Sequence, residues 1–211
     1  MTSCMARVSR GRRSDGRSAL WQVLNVVDVT MDFRPSRDIQ TIRNASISSP
    51  WQTLPYHPVK AAISMFLGEF LFHSLKSEGE NVALFAFLEK SLRWFDEADD
   101  GVADFHLQLM LRLTRFLGIL PGVDGYGRRK VYDLRGACYV SLVPGHGHYL
   151  MADEARWIPI LLRLDYGSMR RLGMTVAGRR RMMEVLLLYY RLHVPAFGEL
   201  QSLDILREVF S

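Results

Sequence analysis

The chain has 211 residues, of which 48% are hydrophobic and 23% are charged. This composition supports a buried core and excludes a disordered chain, and the length fits one large domain or two small ones. The formal net charge is +5, and 23 of the 27 basic residues are arginine, which favours a polyanionic partner.

The two cysteines, Cys4 and Cys138, are too few for a disulfide framework or an all-cysteine zinc site. Residues 1–17 carry five arginines and no apolar run, so they do not form a secretory signal. The most apolar stretches, residues 63–72 and 185–190, are too short or too interrupted to cross a bilayer. We therefore expect a cytoplasmic protein with no membrane association.

The first fifty residues have the period of two that is typical of half-buried strands. Apolar and polar residues alternate between Val27 and Phe33, a turn follows at residues 34–37, and residues 39–47 form a plausible partner strand. A third strand is predicted at residues 5–9. This segment holds eight basic and four acidic residues, which give +4 of the net +5.

From Pro58 onward the apolar spacing becomes helical. Helices are predicted at residues 59–75, 81–97, 102–120, 152–164, 175–193 and 203–210. A short hairpin is predicted between residues 131–134 and 138–142. The sequence thus predicts an α+β fold, with a small β domain over residues 1–50 and a mainly helical domain with a β insertion over residues 51–211.

Five segments of the sequence together resemble one protein family. They are residues 54–60 (LPYHPVK), 81–92 (NVALFAFLEKSL), 111–118 (LRLTRFLG), 132–138 (YDLRGAC) and 189–198 (YYRLHVPAFG). In this order and spacing they resemble the bacterial recombination mediator RecO, most closely the form found in Bacteroidetes. The resemblance covers nearly the whole chain from about Val8.

The resemblance to RecO implies an N-terminal OB-fold, a helical C-terminal domain and a role in DNA repair and recombination. Members of that family bind and anneal single-stranded DNA, engage the single-strand binding protein SSB, and work with RecR to help RecA load. The resemblance therefore implies DNA, SSB and RecR as partners and a place in the cytoplasm near the nucleoid. It implies no enzymatic activity, no cofactor and no small-molecule substrate.

The sequence departs from the RecO pattern in two places. An OB-fold barrel has five strands, and residues 5–9, 21–33 and 38–47 match only the third, fourth and fifth. We therefore expect either an N-terminally truncated reading of the gene or a genuine loss of two strands. Some RecO proteins hold zinc with four cysteines, and only Cys138 lies in that region here, so we expect no structural zinc.

An arginine-rich N-terminal loop is the first candidate for DNA contact. Its cations are Arg7, Arg10, Arg12, Arg13 and Arg17. They accompany Trp21 and Phe33, which offer stacking surfaces, and OB-folds hold single strands by this combination. The alternatives are a frayed, solvated terminus for the loop and a core position for the two aromatic rings.

A second candidate for DNA contact is the run Arg179, Arg180 and Arg181. Thr175 is the predicted N-cap of the last long helix, so the three cations lie near the helix end that disfavours positive charge. A phosphate would relieve this arrangement. Pairing with acids such as Glu184 would relieve it equally well.

The third predicted helix offers a candidate site for the SSB tail, which ends in acidic residues and an apolar aromatic residue. The site would consist of Leu109, Arg112, Arg115 and Phe116, with the arginines as a rim around an apolar groove. The alternative is an ordinary amphipathic core helix with two solvated arginines.

Two other functions remain open from the residues. The chain could be an interaction scaffold for SSB or RecR that has lost DNA binding with the missing strands. It could also be a hydrolase that uses a metal bound by His146 or His148, although no third ligand lies at a recognised spacing.

Overall fold

A computed structural model describes residues 3–5, 19–37, 39–203 and 206. Its contacts divide the chain into two compact units, with the boundary between Asp96 and Glu97. The first unit contains a three-stranded sheet and two long helices. The second contains helices and a small three-stranded sheet, so the predicted α+β fold class is confirmed.

The sheet of the first unit consists of β1 (Ser3–Met5), β2 (Val27–Asp32) and β3 (Ile39–Ile47) in the order β1-β3-β2. β3 pairs antiparallel with β2 and parallel with β1. A parallel pair requires a crossover connection, so this sheet is not a simple meander, in keeping with the Greek-key character of an OB-fold. Of the strand predicted at residues 5–9, only Met5 is described, and it ends β1.

Two long helices complete the first unit, α1 (Pro58–Leu75) and α2 (Val82–Glu97). Pro58 begins α1, as predicted, and the side chain of His57 accepts a hydrogen bond from the Lys60 N–H. Four large side chains of α1 are fully buried, and each contributes about 1.5–3 kcal/mol through burial. They are Ile63, Phe66, Leu67 and Phe70.

The second unit is built around one buried helix, α3 (Phe105–Leu113), which follows a single 3₁₀ turn at Val102–Asp104. Every residue of α3 except Arg112 is buried. The remaining helical elements are α4 (Ala152–Ala155), α5 (Trp157–Arg163), a 3₁₀ segment at Tyr166–Arg171 and α6 (Val176–His193). α3 packs against α5 and α6, and the Tyr190 hydroxyl of α6 donates to the Met110 carbonyl at 2.8 Å.

The small sheet of the second unit consists of β4 (Val131–Asp133), β5 (Cys138–Val140) and β6 (Tyr149–Leu150) in the order β5-β4-β6. All of its pairings are antiparallel. β4 and β5 confirm the predicted hairpin, and β6 extends it on the other side of β4.

The prediction of a helix over residues 102–120 is wrong at both ends. The α-helix begins at Phe105 and ends at Leu113. Beyond Leu113, the N–H groups of Arg115 and Phe116 donate to carbonyls three residues back, at 3.2 and 2.9 Å. Gly118 then adopts a φ of +69°, which ends the helical path.

The helix predicted over residues 152–164 is two helices, with the break at Arg156. Pro159 lacks an N–H and is tolerated only in the first turn of a helix, so a restart at Trp157 accommodates it. Of the helix predicted over residues 203–210, only Leu203 and Leu206 are described, and both are helical. No described helix combines the length and the apolar character needed to cross a membrane.

Candidate nucleic-acid interface

The predicted N-terminal contact loop lies outside the described residues, so its assignment to DNA stays a prediction. This applies to Arg7, Arg10, Arg12, Arg13 and Arg17. The two aromatic rings that accompany the loop in sequence are described. Trp21 is 40% exposed and Phe33 is 65% exposed, so neither belongs to the buried core and both are accessible for stacking.

The turn between β2 and β3 carries Phe33 and two arginines that are not among the predicted DNA contacts. Arg34 and Arg37 are exposed, and no carboxylate in the described part of the chain lies within ion-pair distance of either guanidinium. The Arg37 N–H donates to the Arg34 carbonyl at 3.0 Å and closes the turn. The turn therefore presents one exposed aromatic ring and two exposed arginines.

Gln40 fixes this turn from below. Its side chain is part of a residue only 3% exposed, and its Oε1 accepts from the Arg34 N–H at 2.8 Å. Its Nε2 donates to the carbonyls of Arg34 at 3.0 Å and Arg37 at 2.6 Å. Because both arginine backbones are held, less conformational entropy is lost when their side chains bind a ligand.

Nearby Arg43, on β3, differs from Arg34 and Arg37 although it is also exposed. Its Nε lies 2.6 Å from Oδ2 of Asp32 on β2. Arg43 is therefore partly neutralised by a neighbour, and it serves as a matched control for the two turn arginines.

The arginine run at the start of α6 is engaged with acidic side chains. Thr175 is the N-cap, as predicted, and its Oγ1 accepts from the Gly178 N–H at 3.0 Å. Arg179 Nε lies 2.6 Å from Asp104 Oδ1, with side chains only 13% and 9% exposed. Arg181 contacts two carboxylates, and Arg180 is exposed.

Arg181 Nε lies 2.5 Å from Glu154 Oε1, and its Nη1 lies 3.8 Å from Glu184 Oε2. The alternative considered for this run, pairing with acidic side chains, therefore holds for two of its arginines. Arg181 pairs with Glu154 and Glu184, and Arg179 pairs with Asp104. DNA contact by Arg179, Arg180 and Arg181 stays a prediction, and the ion pairs supply a structural reason for two of the three cations.

His106 lies on α3 near Arg179 and is 1% exposed. Burial, reinforced by the positive charge of Arg179, lowers the pKa of His106 from 6.5 to about 3. The imidazole is therefore neutral in the folded protein at any pH near neutrality.

The neutral state of His106 predicts a loss of stability in mild acid. Because its folded pKa lies below its unfolded value, the unfolded chain binds one more proton between about pH 3 and 6.5. We expect the free energy of unfolding to fall by about 2 kcal/mol more between pH 7 and pH 5 in the native chain than in a His106→Gln variant. Urea unfolding at both pH values measures this difference, and equal losses in the two proteins would contradict it.

The four residues predicted to bind the SSB tail do not share one accessible surface. Leu109 is fully buried in α3. Arg112 is half-buried, its Nη2 donates to the Leu164 carbonyl, and its guanidinium lies 5.0 Å from the Tyr166 ring centre. Arg115 is exposed and Phe116 is half-buried, so these two are the members that a peptide could reach directly.

The two histidines considered as a metal pair contact β4 and each other. His146 Nε2 lies 3.3 Å from Asp133 Oδ1, and the His148 N–H donates to His146 Nδ1 at 3.3 Å. Across the described ranges, no group of three or more His, Cys, Asp or Glu side chains is placed to hold a metal ion.

Comparison with known proteins gives the family of the chain. The family described as "Recombination protein O C terminal" matches residues 56–203. The DNA repair protein RecO of Phocaeicola vulgatus is 41% identical over 209 residues, 99% of this chain and 87% of that protein. The chain belongs to the RecO family.

Other RecO proteins align over similar lengths. The DNA repair protein RecO of Bacteroides fragilis is 38% identical over 209 residues, 99% of this chain and 86% of that protein. That of Porphyromonas gingivalis is 28% identical over 203 residues, 95% and 83% of the two chains. The RecO resemblance read from the sequence, in its Bacteroidetes form, is confirmed.

The family match and the candidate interface occupy different parts of this RecO chain. The matched residues 56–203 include the arginines of α3 and α6 but not the turn at residues 33–37. The full-length relatives, by contrast, align over 99% of the chain and so include the β2–β3 region. A sequence signal for the turn was available, because an Arg-Pro-Ser-Arg segment joins two alternating stretches.

Proposed function

We propose that this RecO-family chain acts in DNA repair as a recombination mediator that binds single-stranded DNA. The relatives are named DNA repair protein RecO. The observation that carries the proposal is the turn after β2, where Gln40 holds the backbone of Arg34 and Arg37 and the preceding Phe33 is exposed.

The turn has the chemistry that single-stranded DNA requires. Two guanidinium groups offset backbone phosphates, and the exposed ring of Phe33 offers a sequence-tolerant stacking surface for a base. In the OB-fold correspondence proposed for residues 1–50, this turn joins the fourth and fifth strands, and that loop binds oligonucleotides in other OB-folds. Offsetting the phosphates of two strands would lower their repulsion and allow complementary strands to anneal.

The proposal divides the work between two domains. Residues 1–50 form a partial OB-fold that contacts DNA, and residues 51–211 form the helical domain that engages SSB and RecR and assists RecA loading. Arg115 and Phe116 are the accessible members of the SSB-tail set, and Leu109 is buried in the core. The protein would act in the cytoplasm, associated with the nucleoid, without catalysing a reaction.

The first test replaces both turn arginines. In an Arg34→Ala/Arg37→Ala variant we expect about tenfold weaker binding of a fluorescent oligothymidylate at low salt. We also expect the slope of log K against log salt to become less negative by about 1.4, since each lost phosphate contact on a single strand removes about 0.7. Fluorescence anisotropy at several salt concentrations measures both quantities.

The matched control is Arg43→Ala, which removes one exposed arginine that is already paired with Asp32. It should leave both the affinity and the salt slope nearly unchanged. If the double variant binds with the affinity and slope of the control, the turn does not contact DNA.

An interaction scaffold without DNA binding is the second candidate, and one observation favours it. Arg179 and Arg181, two of the cations predicted to contact DNA, are occupied by Asp104 and Glu154. The same titration separates the two functions, because a scaffold would not bind the oligonucleotide even at low salt. Its binding to SSB, measured separately, would be retained.

A further inference from the structure

The second unit contains an open groove that the proposed function does not use. Its volume is about 630 Å³, and its lining includes Tyr126, Arg128, Met151, Asp153 and Arg156. Tyr126 is 46% exposed and Met151 is 52% exposed, so the floor combines an aromatic ring with an unbranched apolar side chain. Two guanidinium groups and one carboxylate surround this floor.

The ring of Tyr126 is held in place by a ladder of aromatic contacts. It meets Tyr139 of β5 edge-to-face, with ring centres 5.4 Å apart and planes at 73°. Tyr139 meets Tyr132 of β4 in the same way, at 4.8 Å and 78°. The exposed part of the Tyr126 ring is therefore backed by the small sheet, and it can stack on a planar ligand without first becoming ordered.

The opposite wall of the groove is tied to the same sheet. The Tyr139 hydroxyl donates to the Ala155 carbonyl at 2.6 Å, which anchors the end of α4. Met151, Asp153 and Arg156 lie immediately before, within and after α4. The two walls thus form one fixed site within the second unit.

The arginines of the groove differ from those of α6. Arg128 and Arg129 occupy the centre of a turn closed by the Lys130 N–H and the Gly127 carbonyl at 3.0 Å. Arg156 lies across the Trp157 ring, 5.2 Å from its centre. Among the described side chains, no carboxylate lies within ion-pair distance of these three cations, whereas Arg179 has one and Arg181 has two.

The groove thus combines a fixed stacking surface with cations that have no acidic partner among the described residues. This combination fits a ligand that carries both planar rings and regularly spaced negative charge. Single-stranded nucleic acid carries a ring and a phosphate on every nucleotide, whereas an acidic peptide would need an aromatic residue next to its carboxylates, and the test below includes such a peptide. We propose that this groove is a second binding surface for single-stranded nucleic acid, with a base stacked on Tyr126 and phosphates held by Arg128 and Arg156.

The inference rests on the proposed function and deepens it. Annealing requires that two strands be held, and the turn at residues 33–37 supplies contacts for one of them. The groove supplies a second set of contacts in a different unit of the chain. Asp153 leaves the lining with a net positive charge of one, which favours weak, exchangeable binding over tight retention of the strand.

The test uses the full chain, a fluorescent oligothymidylate and several salt concentrations. The titration is extended to the second, weaker binding step, which reports the groove. We expect Tyr126→Ala to weaken that step about tenfold, since it removes the stacking surface for one base. Tyr126→Phe should retain the affinity of that step. Arg128→Ala/Arg156→Ala, which alters only exposed side chains, should make its salt slope less negative by about 1.4.

The matched control is Arg163→Ala, an exposed arginine of α5 outside the groove, which should change the affinity less than twofold. Groove variants that bind like this control, while Arg34→Ala/Arg37→Ala still weakens binding, would overturn the groove and leave the proposed function intact. Weakened binding of an acidic peptide with unchanged DNA binding would also overturn it. No binding by the native chain would instead defeat the proposed function itself.

Discussion

Replacing Asp104 with alanine is expected to lower the free energy of unfolding by about 3–5 kcal/mol. The Asp104 carboxylate lies 2.6 Å from Arg179 Nε, and both side chains are almost wholly buried. Without that carboxylate, the guanidinium stays buried beside His106, which is neutral and cannot compensate its charge. Urea unfolding at neutral pH, followed by circular dichroism, measures the loss.

Glu184→Ala is the matched control for Asp104→Ala. It removes a carboxylate that is 52% exposed and lies 3.8 Å from Arg181, which keeps its closer partner Glu154. An exposed pair of this kind contributes little, so the change should stay within about 0.5 kcal/mol. Equal effects of the two substitutions would show that the Asp104–Arg179 pair does not stabilise the fold.

A double variant separates the structural role of Arg179 from a DNA-binding role. Asp104→Leu/Arg179→Met removes both buried charges, and such replacements are often neutral or stabilising. We expect it to recover most of the stability lost in Asp104→Ala. If the double variant is stable and binds oligonucleotides like the native chain, the role of Arg179 is structural. If it is stable but has lost affinity for oligonucleotides, Arg179 contributes to DNA binding.

Local sequence chemistry was sufficient where an element is determined by its own residues. The alternation from Val27 predicted β2, Pro58 predicted the start of α1, and Thr175 predicted the N-cap of α6. The predicted helix end was wrong where the apolar spacing continues beyond the last residue of the helix. The apolar spacing continues past Leu113, but the chain tightens to three-residue hydrogen bonds before Gly118.

The candidate site was less predictable because its partners are distant in sequence. Arg179 meets a carboxylate 75 residues away, and Arg181 meets one 27 residues away, so spacing within the run could not identify either acid. The groove likewise joins Tyr126 to Arg156 through the fold of the small sheet. The turn at residues 33–37 is local and was predicted as a turn, but its role as a binding site was missed because its anchor, Gln40, belongs to the next strand.

Replacing Asp96 with alanine is the second change for which we expect a large effect. The free energy of unfolding should fall by about 3 kcal/mol or more. Asp96 is 5% exposed, and its carboxylate accepts three backbone N–H groups at 2.8–2.9 Å, those of Gln52, Thr53 and Leu54. Each buried donor left without an acceptor costs about 1–3 kcal/mol.

The same hydrogen bonds determine how this stabilisation depends on pH. Burial alone would raise the pKa of Asp96, but the N–H donors of residues 52–54 outweigh it and hold the pKa below its usual 3.8. Because the folded pKa is depressed, the contribution of Asp96 is complete above its unfolded pKa and is lost as the pH falls through the folded value. The stability gap between the native chain and Asp96→Ala should therefore narrow in strong acid.

Asp96→Asn distinguishes the charge from the shape of the side chain. It keeps one acceptor oxygen but presents an amide N–H₂ to one of the backbone donors. We therefore expect its free energy of unfolding to lie between those of the native chain and Asp96→Ala.

Lys60 adds to the same cluster, since its Nζ donates to Thr53 Oγ1 and to the Asp96 carbonyl, both at 2.7 Å. These contacts join the segment after β3 to α1 and α2, so an Asp96→Ala protein that unfolds at the native urea concentration would show that the cluster does not hold the first unit together.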